Sequence, residues 1–316
     1  MPVKIYFDYN KIPSQAGTVV TLGNFDGFHL GHQKIVRQTI AMARTLRLPA
    51  LVITFHPHPR QLLSQQISVL TPLERKVELF RAAGADMVLV QPFTRAFAGT
   101  DPREFIRDVL FYALNCRHVV VGYDYSFGRG GAGDTNLMKA MAAQLGIGCE
   151  IVPPVTNGGE VISSTAVRKY LNQGDVETAA RYMGRYYALS GRVEAGEGRG
   201  KQLGFPTANL YPARAVALPA FGVYAVKVEI AGREYRGVAN IGLRPTFPAQ
   251  RPALEIHILE FSGNLYGHCL TVHFLKKLRD EIKFPDVDSF KRQVKEDIRQ
   301  VVALLGNSDM LKWQRI

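Results

Sequence analysis

Residues 18–32 read Thr18-Val19-Val20-Thr21-Leu22-Gly23-Asn24-Phe25-Asp26-Gly27-Phe28-His29-Leu30-Gly31-His32. The first five residues predict a buried strand, and the pattern from Gly31 to Leu46 predicts a helix. A glycine-rich turn between a strand and a helix is where open α/β sheets bind ligands. Gly23, Gly27 and Gly31 let the backbone turn tightly and approach a phosphate. The helix N-terminus that follows offers unpaired N–H groups and the positive end of its dipole. His29 and His32 flank the turn, so both imidazoles can reach one anion and donate to phosphate oxygens as charge shifts. A lone histidine at a helix start is more often a cap or a surface residue. An H-x-x-H pair can also bind metal, with His56 and His58 as added ligands, but no Glu accompanies it at a zinc-protease spacing.

Working outward, the first half alternates apolar runs with helical patterns. Strands are expected at Ala50–Phe55, Asp86–Val90, His118–Gly122 and Cys149–Val155. Thr71-Pro72-Leu73-Glu74 reads as a capping box, and Asp101-Pro102-Arg103-Glu104 opens another helix. Leu137–Leu145 is a further helix. The alternation argues a parallel sheet covered on both faces. Ser164–Leu171 and Val176–Met183 read as two short helices closing this unit. After Gly184 the pattern changes. Tyr187–Val193, Gly222–Ile230, Tyr235–Ile241, Leu254–Phe261 and Cys269–Phe274 are strand-like, close together and separated by turns, so a small antiparallel barrel or sandwich is expected. Asp288–Leu305 is an amphipathic helix with Phe290, Val294, Ile298, Val301, Val302 and Leu305 on one stripe.

A chain of 316 residues suits two domains, and 47% hydrophobic with 21% charged residues is ordinary for globular protein. No apolar run reaches the length of a transmembrane helix, and the N-terminus does not read as a secretory signal. Cys116, Cys149 and Cys269 are odd in number and without metal-ligand spacing, so buried thiols in a reducing cytosol are expected. The net charge is +12, and it is spread evenly: 20 basic against 14 acidic residues up to Arg185, then 19 against 13. Such a balance suits nucleotides and phosphates, and it keeps nonspecific nucleic-acid binding in view as a rival.

Four further segments carry chemistry. Gly122-Tyr123-Asp124-Tyr125-Ser126-Phe127-Gly128 follows a strand and leads into a glycine-rich stretch, which reads as a mobile loop covering a planar ligand. Ile162-Ser163-Ser164-Thr165-Ala166-Val167-Arg168 opens a helix, where hydroxyls and an arginine suit phosphate oxygens. Gly196-Glu197-Gly198-Arg199-Gly200-Lys201-Gln202-Leu203-Gly204-Phe205-Pro206-Thr207-Ala208-Asn209 is not a P-loop, yet its backbone can wrap phosphates. Thr207 and Asn209 offer neutral oxygens on one face of an extended segment, which a hard cation such as Mg²⁺ accepts. On the strand Leu254-Glu255-Ile256-His257, Glu255 can orient and deprotonate a hydroxyl nucleophile.

The first-half segments resemble the H-x-G-H signature of nucleotidylyltransferases and, with Thr54-Phe55-His56-Pro57-His58-Pro59, the FMN adenylyltransferase module of bacterial riboflavin kinase/FAD synthetases. The second-half series, from Leu203-Gly204-Phe205-Pro206-Thr207-Ala208-Asn209 through Gly237–Gly242 and Asn264-Leu265-Tyr266-Gly267 to Arg279–Phe284, resembles the riboflavin kinase module. The resemblance implies a doubly wound parallel-sheet, Rossmann-like adenylyltransferase domain over 1–185. A six-stranded antiparallel barrel with a terminal helix follows over 186–316 as the kinase domain. It implies riboflavin, FMN and ATP as substrates, FAD as product, Mg²⁺ as cofactor, apo-flavoproteins as possible FAD acceptors, and a cytoplasmic enzyme without specific nucleic-acid or membrane partners.

Residue by residue, the resemblance gives catalytic roles to Glu255, His29 and His32. ATP contacts fall to Gly23, Asn24, Phe25, Gly31, Ser164, Arg168, Gly198, Gly200, Lys201, Thr207 and Asn209, the last two also holding the metal. Flavin contacts fall to Asp124, Tyr125, Phe127, Phe205 and Arg279. Asn264 departs from the family's usual Asp before Leu-Tyr-Gly, and as a turn residue it is expected to serve equally. A nucleotidylyltransferase with another acceptor would leave the second-half series unexplained. A nucleic-acid-binding protein fits poorly with evenly spread charge and no aromatic stacking series between basic residues.

Overall fold

The computed structural model describes residues 3–13, 16–62, 67–196, 200, 203–213, 215–243 and 252–306. The chain divides into two compact units, Met1–Ser164 and Thr165–Arg315.

The first unit is built on six parallel strands: β1 (Lys4–Tyr6), β2 (Thr18–Leu22), β3 (Ala50–His56), β4 (Met87–Pro92), β5 (Cys116–Gly122) and β6 (Gly148–Val152). They lie in the order β1-β4-β3-β2-β5-β6. Its longer helices are α1 (Leu30–Leu46), α3 (Leu73–Ala82), a stretch that begins as α5 (Pro102–Glu104) and continues π-helical over Phe105–Ala113, and α6 (Thr135–Gln144); α2 (Pro59–Leu62) and α4 (Arg95–Ala98) are single turns. Period-2 alternation in the strands sends neighbours to opposite faces. Leu51 and Ile53 of β3 pack with Ile106, Leu110 and Met138, whereas Val52 packs with Val36, Val77 and Phe80. Both faces are therefore covered, as the continuous apolar strands require.

Two expectations changed here. The capping box at Thr71 does not form: α3 begins after Pro72 without a side-chain cap, and the Thr71 amide donates instead to the Asp26 carboxylate at 3.0 Å. A distant carboxylate outcompetes the local cap because it also binds the Leu70 amide. β1 is an additional edge strand of three residues, too short and too exposed to leave a periodic signal.

The second unit holds α7 (Ser164–Gln173, whose first residue belongs to the first unit), α8 (Val176–Met183), strands β9 (Tyr187–Glu194), β10 (Ala208–Leu210), β11 (Gly222–Ile230), β12 (Arg233–Leu243), β13 (Pro252–Ile258), β14 (Cys269–Arg279) and α9 (Val287–Gly306). A two-residue antiparallel pair, β7 (Thr156–Asn157) with β8 (Glu160–Val161), precedes α7. The six strands close into an antiparallel barrel, β10-β13-β12-β11-β14-β9. On β11, Tyr224, Val226 and Val228 fill the interior. Val223 and Ala225 pack outward in one cluster with Val301 of α9.

α9 buries Val301 and half-buries Ile298 and Leu305, but Val302 is 42% exposed, so it lies outside the stripe the sequence suggested. The helix is clamped instead by charge. Asp297, buried, receives the Arg279 guanidinium at 2.8 and 3.0 Å, with Gln293 donating to it at 2.9 Å. Removing one partner strands the other in low dielectric. Asp297→Ala is expected to destabilise the second unit by about 3–5 kcal/mol, read by urea unfolding followed by circular dichroism.

α7 and α8 group with the barrel rather than closing the first unit. α8 packs on β14 and β9, burying Val176, Ala179, Ala180, Tyr182 and Met183, and the Ala220 amide donates to Leu171 O at 2.8 Å. An amphipathic helix shows its apolar face in sequence, not the surface that covers it. A fragment over 165–316 is therefore expected to melt higher than one over 186–316, in thermal denaturation of the two side by side. Of the three thiols, Cys116 is buried as expected, but Cys269 is exposed.

Candidate active sites

The strand order of the first sheet reverses between β2 and β5. The chain runs from β2 outward through β3 to β4, then returns to place β5 on the other side of β2. A crevice opens at the carboxyl ends of the strands at such a switch point. The two loops singled out in the first half leave from these two strands: 23–29 from β2 and 123–134 from β5.

His29 is the N-cap of α1, and its Nδ1 accepts from the His32 amide at 3.4 Å. An accepting Nδ1 leaves the ring proton on Nε2, which makes Nε2–H a donor. The His32 ring stacks on it with centroids 3.6 Å apart and an angle of 21°. Phe25 meets the His32 ring edge-on at 5.3 Å. Gly31 gives this stack room, because a Cβ there would sit a tight 3.1 Å from the His29 ring. Ser164 joins the same loop, its hydroxyl donating to Asp26 O at 2.7 Å. Arg168 lies on α7, which groups with the second unit. Among the described residues no cluster of His, Cys, Asp and Glu could hold a metal ion.

In the 123–134 loop, Asp124 is exposed and Tyr125 stacks on Phe127 at 5.4 Å and 14°. Burial pushes the Tyr125 hydroxyl well above its ordinary pKa, so it stays protonated. Phe127 is 8% exposed and sits in the core against Phe105. The loop is tethered rather than open. Phe127 and Gly133 exchange backbone hydrogen bonds at 2.9 Å, and Arg129 N donates to Thr100 O at 2.8 Å. Tyr125 is thus half-buried against the core, with Phe127 stacked on it.

On the barrel, register brings the second set together. Asn209 of β10 stands directly opposite Glu255 of β13 on one side and Glu194 of β9 on the other, and Glu255 stands opposite Asn240 of β12. Directly paired residues share a face. The alternating neighbours Ala208, Leu210, Leu254, Ile256, Ala239 and Ile241 are buried inside, so this row lies on the outer face. Asn209 is nonetheless 4% exposed, its amide lying where a Cβ at Gly196 would come within 2.2 Å. Thr207, just before β10, has its hydroxyl against Gly200, whose carbonyl accepts from Phe205 N at 2.8 Å. His257, two residues beyond Glu255 on the same face, donates from Nδ1 to Pro206 O at 2.9 Å and meets the Phe205 ring at 5.7 Å. Arg279 is committed to Asp297, with Phe284 5.8 Å from its guanidinium. Gly198 and Lys201, and Arg244-Pro245-Thr246, lie outside the described residues.

Comparison with known proteins addresses both halves. The FAD synthetase family model matches residues 11–166 and the riboflavin kinase model residues 183–305. The bifunctional riboflavin kinase/FMN adenylyltransferase of Bacillus subtilis (strain 168) is 36% identical over 301 residues, covering 93% of this chain and 94% of that protein. The chain belongs to this bifunctional family. The Escherichia coli (strain K12) member is 38% identical over 286 residues, covering 90% of this chain and 91% of that protein. A crystal structure of a Streptococcus pneumoniae protein, described as a macrolide-efflux protein, superposes with a TM-score of 0.86 at 32% identity, over 95% of this chain and 99% of that one. Among the described residues no helix is long and apolar enough to cross a membrane.

As a member of the riboflavin kinase/FMN adenylyltransferase family, the chain carries the adenylyltransferase module first and the kinase module second. At the Asn264 position, Oδ1 accepts from Tyr266 N at 3.0 Å, a turn contact that an Asp carboxylate could also make. Sequence reasoning missed Asn240 and Glu281. Asn240 Nδ2 donates to Glu281 at 3.1 Å, and Glu281 lies against Gly242. The signal was available, because Asn240, Gly242 and Glu281 all stand in the motifs quoted for the kinase module, but only the register sets Asn240 opposite Glu255.

Proposed function

We propose that the two transfers run at separate sites, adenylyl transfer in residues 1–185 and phosphoryl transfer in residues 186–316. In the kinase module, Glu255 accepts the proton of the terminal ribityl hydroxyl. That oxygen attacks the γ-phosphorus of ATP, giving FMN and releasing ADP. The observation that carries this reading is the placement of Glu255 directly opposite Asn209, at the end of the Gly196–Asn209 loop. Thr207 and Asn209 offer neutral oxygens in a cradle lined by Gly200 and Gly196, a donor set that fits Mg²⁺. The cation would supply charge neutralisation beside the ATP phosphates. Phe205 and the Arg279 region border the same face and suit the flavin.

In the first module, an FMN phosphate oxygen attacks the α-phosphorus of ATP and pyrophosphate leaves. His29 and His32 donate to phosphate oxygens as charge builds. Gly23, Asn24, Phe25 and Gly31 form the loop around the phosphates, with Ser164 as a further contact, and Asp124 and Tyr125 border the flavin. The enzyme works in the cytoplasm on small molecules, passes FAD to apo-flavoproteins and has no specific nucleic-acid partner.

The deciding experiment is incubation with riboflavin, ATP and Mg²⁺, followed by chromatographic separation of the flavins. FMN is expected first and FAD after it, and supplied FMN alone is expected to yield FAD. Failure to convert FMN would remove the adenylyltransferase assignment. A chelator is expected to stop both reactions, and Mg²⁺ to restore them. Stoichiometric zinc surviving dialysis would instead favour a histidine metal site.

A further inference from the structure

A buried cation lies behind the phosphate-handling loop and takes no part in the chemistry above. Lys76, on α3, is 5% exposed. Its Nζ donates to Asn24 O at 3.0 Å and to Thr54 Oγ1 at 3.3 Å, and the Thr54 hydroxyl donates to that same Asn24 carbonyl at 3.2 Å. The neighbouring charge is Asp26, whose buried carboxylate is held by the Leu70 and Thr71 amides. Burial lowers the Lys76 pKa and Asp26 partly offsets this. An ammonium is an expensive group to bury. A residue needed only to fill space under α3 would be apolar.

The geometry shows what the charge acts on. The loop's backbone carbonyls are gripped one after another: Asn24 by Lys76 and Thr54, Asp26 by Ser164, and Phe28 by Gln33 Nε2 at 2.9 Å. Between these points Phe25 and Phe28 have φ of 48° and 36°, the left-handed region that costs a non-glycine residue and persists only when its surroundings over-determine it. A peptide unit is planar and trans, so C=O and N–H point in opposite directions. Drawing the Asn24 carbonyl toward Lys76 turns the Phe25 N–H the other way. That N–H has no acceptor among the described residues.

We propose that Lys76 is a positioning residue for adenylyl transfer: its ammonium holds the Asn24 carbonyl and so aims the Phe25 amide, and with it the His29–His32 turn, at the phosphates of ATP. This rests on the reading of the 23–32 loop as the ATP phosphate site. Lys76 touches no substrate and acts only through the loop backbone.

The test uses the full chain, in which the kinase module is an internal reference. Lys76→Met removes both charge and donor, and Lys76→Gln keeps a donor without the charge. With FMN and ATP supplied, kcat for FAD formation is expected to fall about 10–100-fold in Lys76→Met, the loss of one charged hydrogen bond. Lys76→Gln is expected to fall between it and the parent, with KM for FMN changed much less. Riboflavin phosphorylation is expected at the parental rate in both. A purely structural role predicts a lower melting temperature with kcat per folded molecule unchanged. That result, in variants whose melts lie above the assay temperature, overturns the proposal. If Lys76→Met does not fold, Lys76→Gln assayed in the cold decides by the same criterion. His32→Ala runs in parallel. If it adenylylates at the parental rate, the site reading itself fails. If it is crippled while the Lys76 variants are not, only the lysine proposal fails.

Discussion

Glu255→Gln is expected to cripple FMN formation while FMN-to-FAD conversion stays nearly intact. Only riboflavin brings a neutral hydroxyl that must lose its proton, so only the kinase reaction needs a base. Loss of a general base costs on the order of 10²–10⁴ in rate. Glutamine keeps the volume and the strand pairing, so β13 stays in register between β10 and β12 and Asn209 and Asn240 keep their neighbour. The measurement is the initial rate of each step with riboflavin and FMN supplied separately. Equal loss of both activities in folded protein would mean one shared site.

His32→Ala is expected to do the reverse, lowering FAD formation from FMN by roughly 10²–10³ and sparing riboflavin phosphorylation. His32 is the cleaner of the two histidines to remove. Its contribution to the cap is a backbone N–H, which alanine retains, so His29 keeps its N-cap bond. What disappears is the imidazole stacked on His29 and edge-on to Phe25. His29→Ala would also remove the side-chain cap of α1, so lost helix stability would mix with lost chemistry. Parental FAD synthesis by His32→Ala would remove this imidazole from the reaction.

Several elements were readable from local pattern. The strand Thr18–Leu22 and the helix Val176–Met183 form over the residues their periodicity indicates, and His29 caps α1 where the glycine turn ends. Those features depend on neighbours a few residues away. The barrel was legible as closely spaced strands, but β10 is only three residues long and rests on non-local pairing. The misreadings share one cause. Thr71 as a cap, α7 and α8 as the closure of the first unit and Val302 in a buried stripe each depend on a partner that local pattern does not show. Asp26, β14 and the neighbours of α9 lie tens of residues away from the segments they hold.

By itself, then, the sequence determined the two kinds of layer, and the positions of the glycine-rich turn after β2 and of the Thr207–Asn209 segment. These follow from hydrophobic period, glycine placement and helix-start chemistry, all local. The tertiary structure alone decided which residues share a site. The strand order put the β2 and β5 loops on either side of one crevice, and barrel register set Glu255 against Asn209. It also sent the Arg279 guanidinium to Asp297 and brought Lys76 under Asn24. Strand order, register and buried charge pairing are non-local because a strand or an ammonium shows in its own sequence that it needs a partner, and only the packed chain decides which partner it meets.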